Sequence, residues 1–234
     1  MFDALFTTTT EYKKLSHALS GKGACALFGL PASGRAQVYA ALCRQLDKPL
    51  CIVTPGEAEA TRFAADLNTL GIPAAVFPAR DYVLRPIEGT AREYEYRRLA
   101  VLGELVGGRL RAVAVPAEAL TQFTTPKEDF CANTRTLHAG DTLLRDDLLA
   151  ALFGAGYTRR AQVDGPGQFS VRGDIVDIFA PDQKMPVRME FWGDEIDTLH
   201  TFDLTTQRRE DAIDKFYLSP AREVLFGKPA DAAE

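Results

Sequence analysis

The chain has 234 residues, of which 46% are hydrophobic and 25% are charged, and its formal net charge is −5. This composition is that of a globular protein and excludes collagen-like and wholly disordered chains. No apolar run reaches the roughly 18 residues that a membrane helix needs, and the N-terminus lacks the features of a signal peptide. We therefore expect a cytoplasmic protein without a membrane partner. The net negative charge also disfavours a dedicated non-specific nucleic-acid binder, which needs a basic face.

The first half of the chain alternates apolar segments with helical patterns, beginning with a helix near residues 9–20. Its apolar segments do not alternate with polar residues, which indicates strands buried on both faces of a parallel α/β sheet. The last helix of this half begins with the capping-box pattern Thr90–Glu93. The predicted strands are 24–28, 50–53, 74–77 and 112–115, and the predicted helices after the first are 34–46, 57–70 and 90–107.

The pattern changes near Pro126 to alternating segments around one short helix at 144–153. This half is predicted to be a small α+β domain with an antiparallel sheet, including a hairpin turn at Gly193-Asp194. The predicted strands are 159–164, 168–179, 186–192 and 195–203. We place the border near residue 130, which gives domains 1–130 and 131–214 followed by a segment 215–234.

Cysteines and histidines show no metal-binding spacing. We expect reduced cysteines, three of them in apolar surroundings and buried, as is usual in a cytosolic protein. The histidines are interpreted as surface or packing residues, so the sequence predicts no metal and no other cofactor. These residues are Cys25, Cys43, Cys51, Cys131, His17, His138 and His200.

The segment from Gly29 to Ala36 stands where a phosphate-binding loop, G-x-x-x-x-G-K-[ST], belongs. Gly29 and Gly34 have the spacing of the motif, but Arg35 replaces its lysine and Ala36 replaces the hydroxyl that would ligate Mg²⁺. Without that ligand the charge neutralisation required for phosphoryl transfer is missing. We predict a degenerate loop, and an anion at the helix N-terminus stays an open alternative.

Alternation along residues 187–192 puts two sets of side chains on opposite faces of a strand. The apolar set, predicted to be core, is Val187, Met189 and Phe191. The other set is Arg188, Glu190 and Trp192. Arginine and exposed aromatic residues are enriched at binding hot spots, so this second face is a candidate partner-binding patch.

Arg172 joins this patch if its own strand pairs with the strand of Arg188, although Gly173 could be a bulge that shifts the faces. The alternative is that both arginines simply pair with Glu190 or Asp174 on a solvated sheet surface. The residue pattern alone gives the second interpretation at least as much weight as the first.

Two motifs, Gly167–Phe179 and Val187–Asp203, resemble the second domain of UvrB-like proteins. The similarity extends over essentially the whole chain and is strongest to the N-terminal region of bacterial transcription-repair coupling factors. UvrB itself has a Lys-Thr phosphate loop and a long aromatic-rich hairpin. This chain has Arg35-Ala36 instead and no such insertion between residues 78 and 112, and both departures favour the coupling factors.

The resemblance implies a first domain that is structurally like a P-loop helicase domain, degenerate and unable to use ATP. It implies a second domain that recruits the excinuclease subunit UvrA to stalled transcription complexes in nucleotide excision repair. The residues implicated in the family fall on Arg172, Arg188 and Trp192, with tryptophan where the family often has phenylalanine.

The full-length family protein is a longer, ATP-dependent DNA translocase. We therefore expect this chain to be a fragment that is not itself an enzyme and is monomeric. Contacts with RNA polymerase and DNA would then belong to downstream domains absent from it. Residues 215–234 resemble the start of a return segment into an incomplete first domain.

Two alternatives from other functional classes remain at this point. One is a nucleotide-dependent repair enzyme of the UvrB type. The other is direct DNA binding through an arginine-rich segment, although interleaved acidic residues favour a solvated helix face. The arginines are Arg80, Arg85, Arg92, Arg97, Arg98, Arg109 and Arg111.

Overall fold

A computed structural model of the chain describes residues 7–21, 24–46, 48–80 and 91–224. The contacts of the chain divide it into two compact units. Unit 1 comprises Met1–Ala79 and Gly107–Thr121, and unit 2 comprises Arg80–Val106 and Gln122–Glu234.

Helices dominate the first part of the described chain, and strands dominate the second. In chain order the elements are α1 (Thr10–Ser20), α2 (Ala32–Gln45), β1 (Leu50–Thr54), α3 (Glu57–Thr69), β2 (Ala74–Val76), α4 (Ala91–Val106), β3 (Ala112–Pro116), α5 (Ala117–Leu120), α6 (Lys127–Ala132), β4 (Arg135–His138), α7 (Arg145–Gly154), β5 (Thr158–Arg159), β6 (Gln168–Arg172), β7 (Ile175–Phe179), β8 (Val187–Trp192), β9 (Glu195–Phe202), β10 (Arg209–Ala212) and β11 (Lys215–Leu218).

Unit 1 contains the parallel sheet that its apolar segments predict. Strand β3 lies between β1 and β2 and pairs with both in parallel, and all its residues are buried. Helix α3 packs against this sheet through Ala60, Phe63, Ala64 and Leu67, which helical spacing places on one face. The predicted parallel α/β arrangement is confirmed.

One predicted strand of unit 1 does not form. Residues 24–28 lie outside the sheet, and Leu27 and Phe28 are exposed. An apolar segment becomes a buried strand only where a neighbour satisfies its backbone groups, and none of the described strands pairs with this one. The prediction of a buried strand at 24–28 is therefore wrong.

The cysteines also depart from the expectation of buried thiols. Cys43 is buried in unit 1, and burial raises the pKa of its thiol. Cys25, Cys51 and Cys131 are exposed, and all of the cysteines are free. For Cys51 the physical reason is alternation, since it lies on the uncovered side of the edge strand β1.

Unit 2 contains a six-stranded sheet in the order β10-β9-β8-β7-β6-β5. Its pairs are antiparallel apart from the short pair β5–β6, which is parallel. One face of the sheet packs on α7 in a core that includes Leu148, Leu152, Phe169 and Met189. The predicted α+β domain with an antiparallel sheet is confirmed, with this one parallel pair added.

Two tight turns shape the sheet. Gly193-Asp194 joins β8 to β9, as predicted, with Gly193 at φ +63. Gly173-Asp174 joins β6 to β7, with Gly173 at φ +60, a left-handed conformation that favours glycine. The single strand predicted at 168–179 is therefore two strands, and the suspected bulge at Gly173 is a hairpin turn.

The segment predicted to begin a return at residue 215 starts as part of unit 2. Strand β11 pairs with β4 in antiparallel fashion, and Phe216 and Leu218 belong to the unit 2 core. Residues 225–234 of that segment lie outside the described residues, as does the predicted helix cap at Thr90. Within the described parts of the chain, no helix has the length and apolar content needed to cross a lipid bilayer.

Helix α4, which precedes the border predicted near residue 130, groups with unit 2. The physical reason is a buried ion pair in which Nη2 of Arg98 lies 2.8 Å from Oε1 of Glu223. Both side chains are 0% exposed. Gln122 also accepts a hydrogen bond from Arg98, so a charged network ties the helix to the C-terminal part of the unit.

A candidate partner-binding surface

The predicted patch residues lie on the outer face of the unit 2 sheet. Strand β8 alternates as expected, with Val187, Met189 and Phe191 buried in the core. On the opposite face the register places Asp177 of β7 directly beside Arg188 of β8. The structure thus adds an acidic residue that the sequence analysis did not single out.

Asp177 bridges two of the predicted arginines. Its Oδ2 accepts from Nη2 of Arg172 at 2.6 Å and from Nη2 of Arg188 at 3.0 Å. Its Oδ1 accepts from Nε of Arg188 at 2.7 Å. The Asp177 side chain is 0% exposed, so the carboxylate is buried and satisfied by two guanidinium groups. We call Arg172, Asp177, Arg188 and Trp192 together the partner surface.

Arg188 is fixed by contacts from three neighbouring residues. Beyond its bonds to Asp177, its Nη1 donates to the backbone oxygen of Gln207 at 3.2 Å. Its guanidinium carbon lies 4.7 Å from the centre of the Phe202 ring, a cation–π contact. The hydrogen bond to Asp177 raises the pKa of Arg188 further above its usual value. With its side chain 10% exposed, Arg188 is largely buried within the outer face of the sheet.

Arg172 and Trp192 are the accessible members of the partner surface. The Arg172 side chain is 46% exposed and uses Nη2 for Asp177. Within the described chain, its Nε and Nη1 have no hydrogen-bond acceptor. Trp192 is 82% exposed at the end of β8. Free guanidinium donors and a large exposed ring are the groups that anchor protein interfaces.

The alternative pairing expected for these arginines is wrong in its partners. Glu190 pairs with Arg209 and accepts a hydrogen bond from Thr198. Asp174 contacts Arg145 at 3.4 Å. Neither acid engages Arg172 or Arg188, because both arginines use Asp177 instead.

One short segment ties both hairpin turns at this end of the sheet. The N–H of Leu143 donates to the oxygen of Asp194 at 2.7 Å. Nη1 of Arg145 donates to the oxygen of Gly173 at 2.9 Å. Because Arg172 and Trp192 immediately precede these turns, the anchoring restricts the backbone beneath both exposed side chains.

The residues of the predicted degenerate loop all lie in unit 1. Gly29 has φ +80 and precedes α2. Gly34, Arg35 and Ala36 are inside the helix, and the N–H of Arg35 donates to the Pro31 oxygen at 3.1 Å. That N–H takes part in a helical bond, whereas a phosphate loop leaves such groups free to bind phosphate oxygens. Their role as a degenerate phosphate loop stays a prediction.

The arginine-rich segment is only partly the solvated face that was expected. Arg98 is fully buried, and Nη2 of Arg111 donates to the backbone oxygens of Cys43 and Leu46. Arg80 pairs with Glu223. These three arginines serve the fold, whereas Arg85 lies outside the described residues. In the described ranges no cluster of three or more His, Cys, Asp or Glu side chains has the arrangement of a metal site.

Comparison with known proteins places this surface in a named domain. Residues 136–224 match the family model described as the UvrB interaction domain. The match contains every residue of the partner surface.

Curated relatives extend the similarity to most of the chain. The transcription-repair-coupling factor of Bacillus subtilis is 28% identical over 209 residues, which are 88% of this chain and 18% of that protein. The protein of the same name from Myxococcus xanthus is 35% identical over 209 residues, covering 85% of this chain and 17% of the relative. The UvrABC system protein B of Chlorobium limicola is 28% identical over 217 residues, covering 86% of this chain and 32% of the relative.

The chain spans less than a fifth of the length of the coupling factors that it matches. The family resemblance predicted from the sequence is nevertheless confirmed. Residues 136–224 match the UvrB interaction domain, and the chain is similar to transcription-repair-coupling factors over 85–93% of its length.

Proposed function

We propose that unit 2 is a protein-binding module whose partner surface binds UvrA. In this proposal the chain belongs to a longer coupling factor that recruits UvrA to stalled transcription complexes. The name of the matched domain and its relationship to a component of the UvrABC system support a protein partner in excision repair. Contacts with RNA polymerase and DNA would be made by parts of the longer protein outside this chain.

The observation that carries the proposal is that the partner surface presents side chains that are exposed, one of them also held in place by a hydrogen bond. Arg172 is held at one nitrogen by a buried carboxylate yet is half exposed, and Trp192 is almost fully exposed. A side chain that is ordered before binding loses less conformational entropy when the complex forms. Both are residue types that contribute strongly at the centres of interfaces.

Binding of purified UvrA to the chain, measured by isothermal titration calorimetry, tests the proposal. Arg172→Ala and Trp192→Ala should each weaken binding by more than about 10-fold, since removing an anchor typically costs about 2 kcal/mol or more. The matched controls are Arg135→Ala and Phe123→Ala, which remove an exposed arginine and an exposed aromatic ring elsewhere in unit 2. If both anchor variants bind UvrA as tightly as the controls do, the proposal fails.

We further propose that this chain acts without hydrolysing ATP. Two features support this. The backbone N–H of Arg35 is used in a helical hydrogen bond and is not free to bind phosphate, and Ala36 has no hydroxyl to ligate Mg²⁺. Turnover of ATP by the purified chain, abolished by Gly34→Val, would contradict it. That result would support a nucleotide-dependent enzyme of the UvrB type.

A further inference from the structure

Asp177 occupies an unusual place for an acidic residue. It lies in the middle of β7, and its neighbours Val176 and Ile178 are fully buried in the core on the opposite face. A buried carboxylate is unfavourable unless it is paired and hydrogen-bonded. Among the described residues, the hydrogen bonds to its side-chain oxygens come from Arg172 and Arg188 alone.

The two arginines are used unequally. Arg188 engages Nε, Nη1 and Nη2, and its guanidinium also lies over the Phe202 ring. Arg172 engages Nη2 and keeps Nε and Nη1 available within the described structure. The buried Arg188 therefore holds the Asp177 carboxylate in place, and Asp177 in turn holds one nitrogen of Arg172. The other donors of Arg172 have no acceptor among the described residues.

The charges of this trio do not cancel. Two guanidinium groups face one carboxylate, which leaves one positive charge at the exposed Arg172. Planar guanidinium groups with free N–H donors match the oxygens of carboxylate and phosphate groups, and charge-assisted bonds of this kind are about twice as strong as neutral ones. The complementary group on a protein partner is an aspartate or glutamate side chain.

We propose that Asp177 is a positioning residue of the partner surface, which holds Arg172 in the orientation that receives a carboxylate of the partner protein. This inference rests on the proposed function and deepens it, because it assigns a role to a residue that would not itself touch the partner. It also makes Arg188 a support for Asp177 more than a direct contact.

A double-mutant cycle on the intact chain tests the inference. The affinity for purified UvrA is measured for the wild type, Asp177→Asn, Arg172→Ala and the double variant. We expect Asp177→Asn to weaken binding about 3- to 10-fold, the range for ordering one long side chain in the complex. In the Arg172→Ala background the same change should have no further effect, because Asp177 acts through Arg172.

A purely structural role for Asp177 gives a different cycle. Its effect on affinity would then add to that of Arg172→Ala, and this result would overturn the inference. Wild-type affinity of Asp177→Asn would overturn it as well, provided that Arg172→Ala still weakens binding. If Arg172→Ala and Trp192→Ala both leave affinity unchanged, the proposed function itself fails, so the two failures are distinguishable.

Controls cover folding and loss of charge. Asp147→Asn removes an exposed carboxylate on α7, and its affinity for UvrA should match the wild type. Circular dichroism and thermal unfolding report whether each variant is folded.

Arg172→Lys keeps the inference testable if Asp177→Asn does not fold, since Arg172 is half exposed. A lysine keeps the charge but not the planar fork. We expect a loss of about 10-fold, close to that of alanine, whereas full affinity would contradict a requirement for an oriented guanidinium. Duplex DNA as the probe separates the partner classes: DNA binding that is lost in Arg172→Ala would show that Arg172 binds phosphate and not a protein carboxylate.

Discussion

Unit 2 contains two clusters with the same chemical plan, one carboxylate between two arginines. In the first, Glu223 accepts from Arg80 and Arg98. In the second, Asp177 accepts from Arg172 and Arg188. Both carboxylates are fully buried, and in each cluster one arginine is more exposed than the other.

The clusters differ in what happens to the remaining donors. In Arg98, Nη1 donates to the side-chain oxygen of Gln122, and Nη2 donates to the backbone oxygen of Phe123. Arg172 has no such acceptors among the described residues. Arg98, the inner arginine of its cluster, thus has all three nitrogens hydrogen-bonded within the unit. Arg172, the outer arginine of the other cluster, keeps two nitrogens without an acceptor among the described residues and is more exposed than Arg80, at 46% against 26%.

The largest effect that can test this comparison is on stability. Arg98→Ala leaves Glu223 buried without its main partner, and breaking such a pair costs about 3–5 kcal/mol. The free energy of unfolding from urea denaturation, followed by circular dichroism, measures it. The matched control is the adjacent Arg97→Ala, an exposed position where we expect less than about 1 kcal/mol. Similar losses for the two variants would refute a structural role specific to Arg98.

The second prediction separates stability from binding inside the Asp177 cluster. Arg188→Ala should reduce the free energy of unfolding by about 2 kcal/mol or more, because a buried carboxylate loses hydrogen bonds. Arg172→Ala should reduce it by less than about 1 kcal/mol, while UvrA binding still falls by more than about 10-fold. Urea denaturation and calorimetry on the same samples give both quantities. Equal destabilisation by the two variants would remove the distinction between support and contact.

The smallest expected effect is the pH dependence of stability that the Glu223 cluster causes. Burial alone would raise the pKa of Glu223, but hydrogen bonds from Arg98, Thr124 and Arg80 outweigh it and lower that pKa below its ordinary value of 4.5. A lowered pKa in the folded state contributes stability that is present above the ordinary value and is lost as pH falls through the folded value. Urea denaturation at a series of acidic pH values should therefore show a shallower decline for Glu223→Gln than for the wild type. Parallel curves for the two proteins would contradict this prediction.

The sequence predicted what local patterns determine. Alternation along β8 was sufficient to separate Met189 from Arg188, and helical spacing was sufficient to place Phe63 and Leu67 in the core. Both patterns follow from the geometry of one strand or one helix. The candidate surface was predicted for the same reason, since Arg188 and Trp192 share a strand.

Pairing between distant residues was beyond such reasoning. Glu223 lies 125 positions from Arg98, so no local period connects them. Asp177 could have been noticed as an acid within the apolar run Ile-Val-Asp-Ile-Phe, where an ionised side chain requires a partner. The pairing of Arg172 with Asp177, and not with Asp174, depends on the hairpin turn at Gly173, where the sequence suggested a possible bulge. At residues 24–28 the apolar composition led to the prediction of a strand that does not form. Apolar composition alone does not show that a neighbouring strand is present to pair with it.

The packing of α4 in unit 2 has a practical consequence for dissecting the protein. The family match begins at residue 136, which invites a cut at that point. Such a cut would remove Arg98 and leave Glu223 unpaired. It would also remove the Tyr96 ring that closes over Gly167, where even a Cβ would lie 2.6 Å from the Tyr96 hydroxyl. A minimal fragment for NMR titration or inhibitor screening should therefore retain the helix that precedes the matched domain.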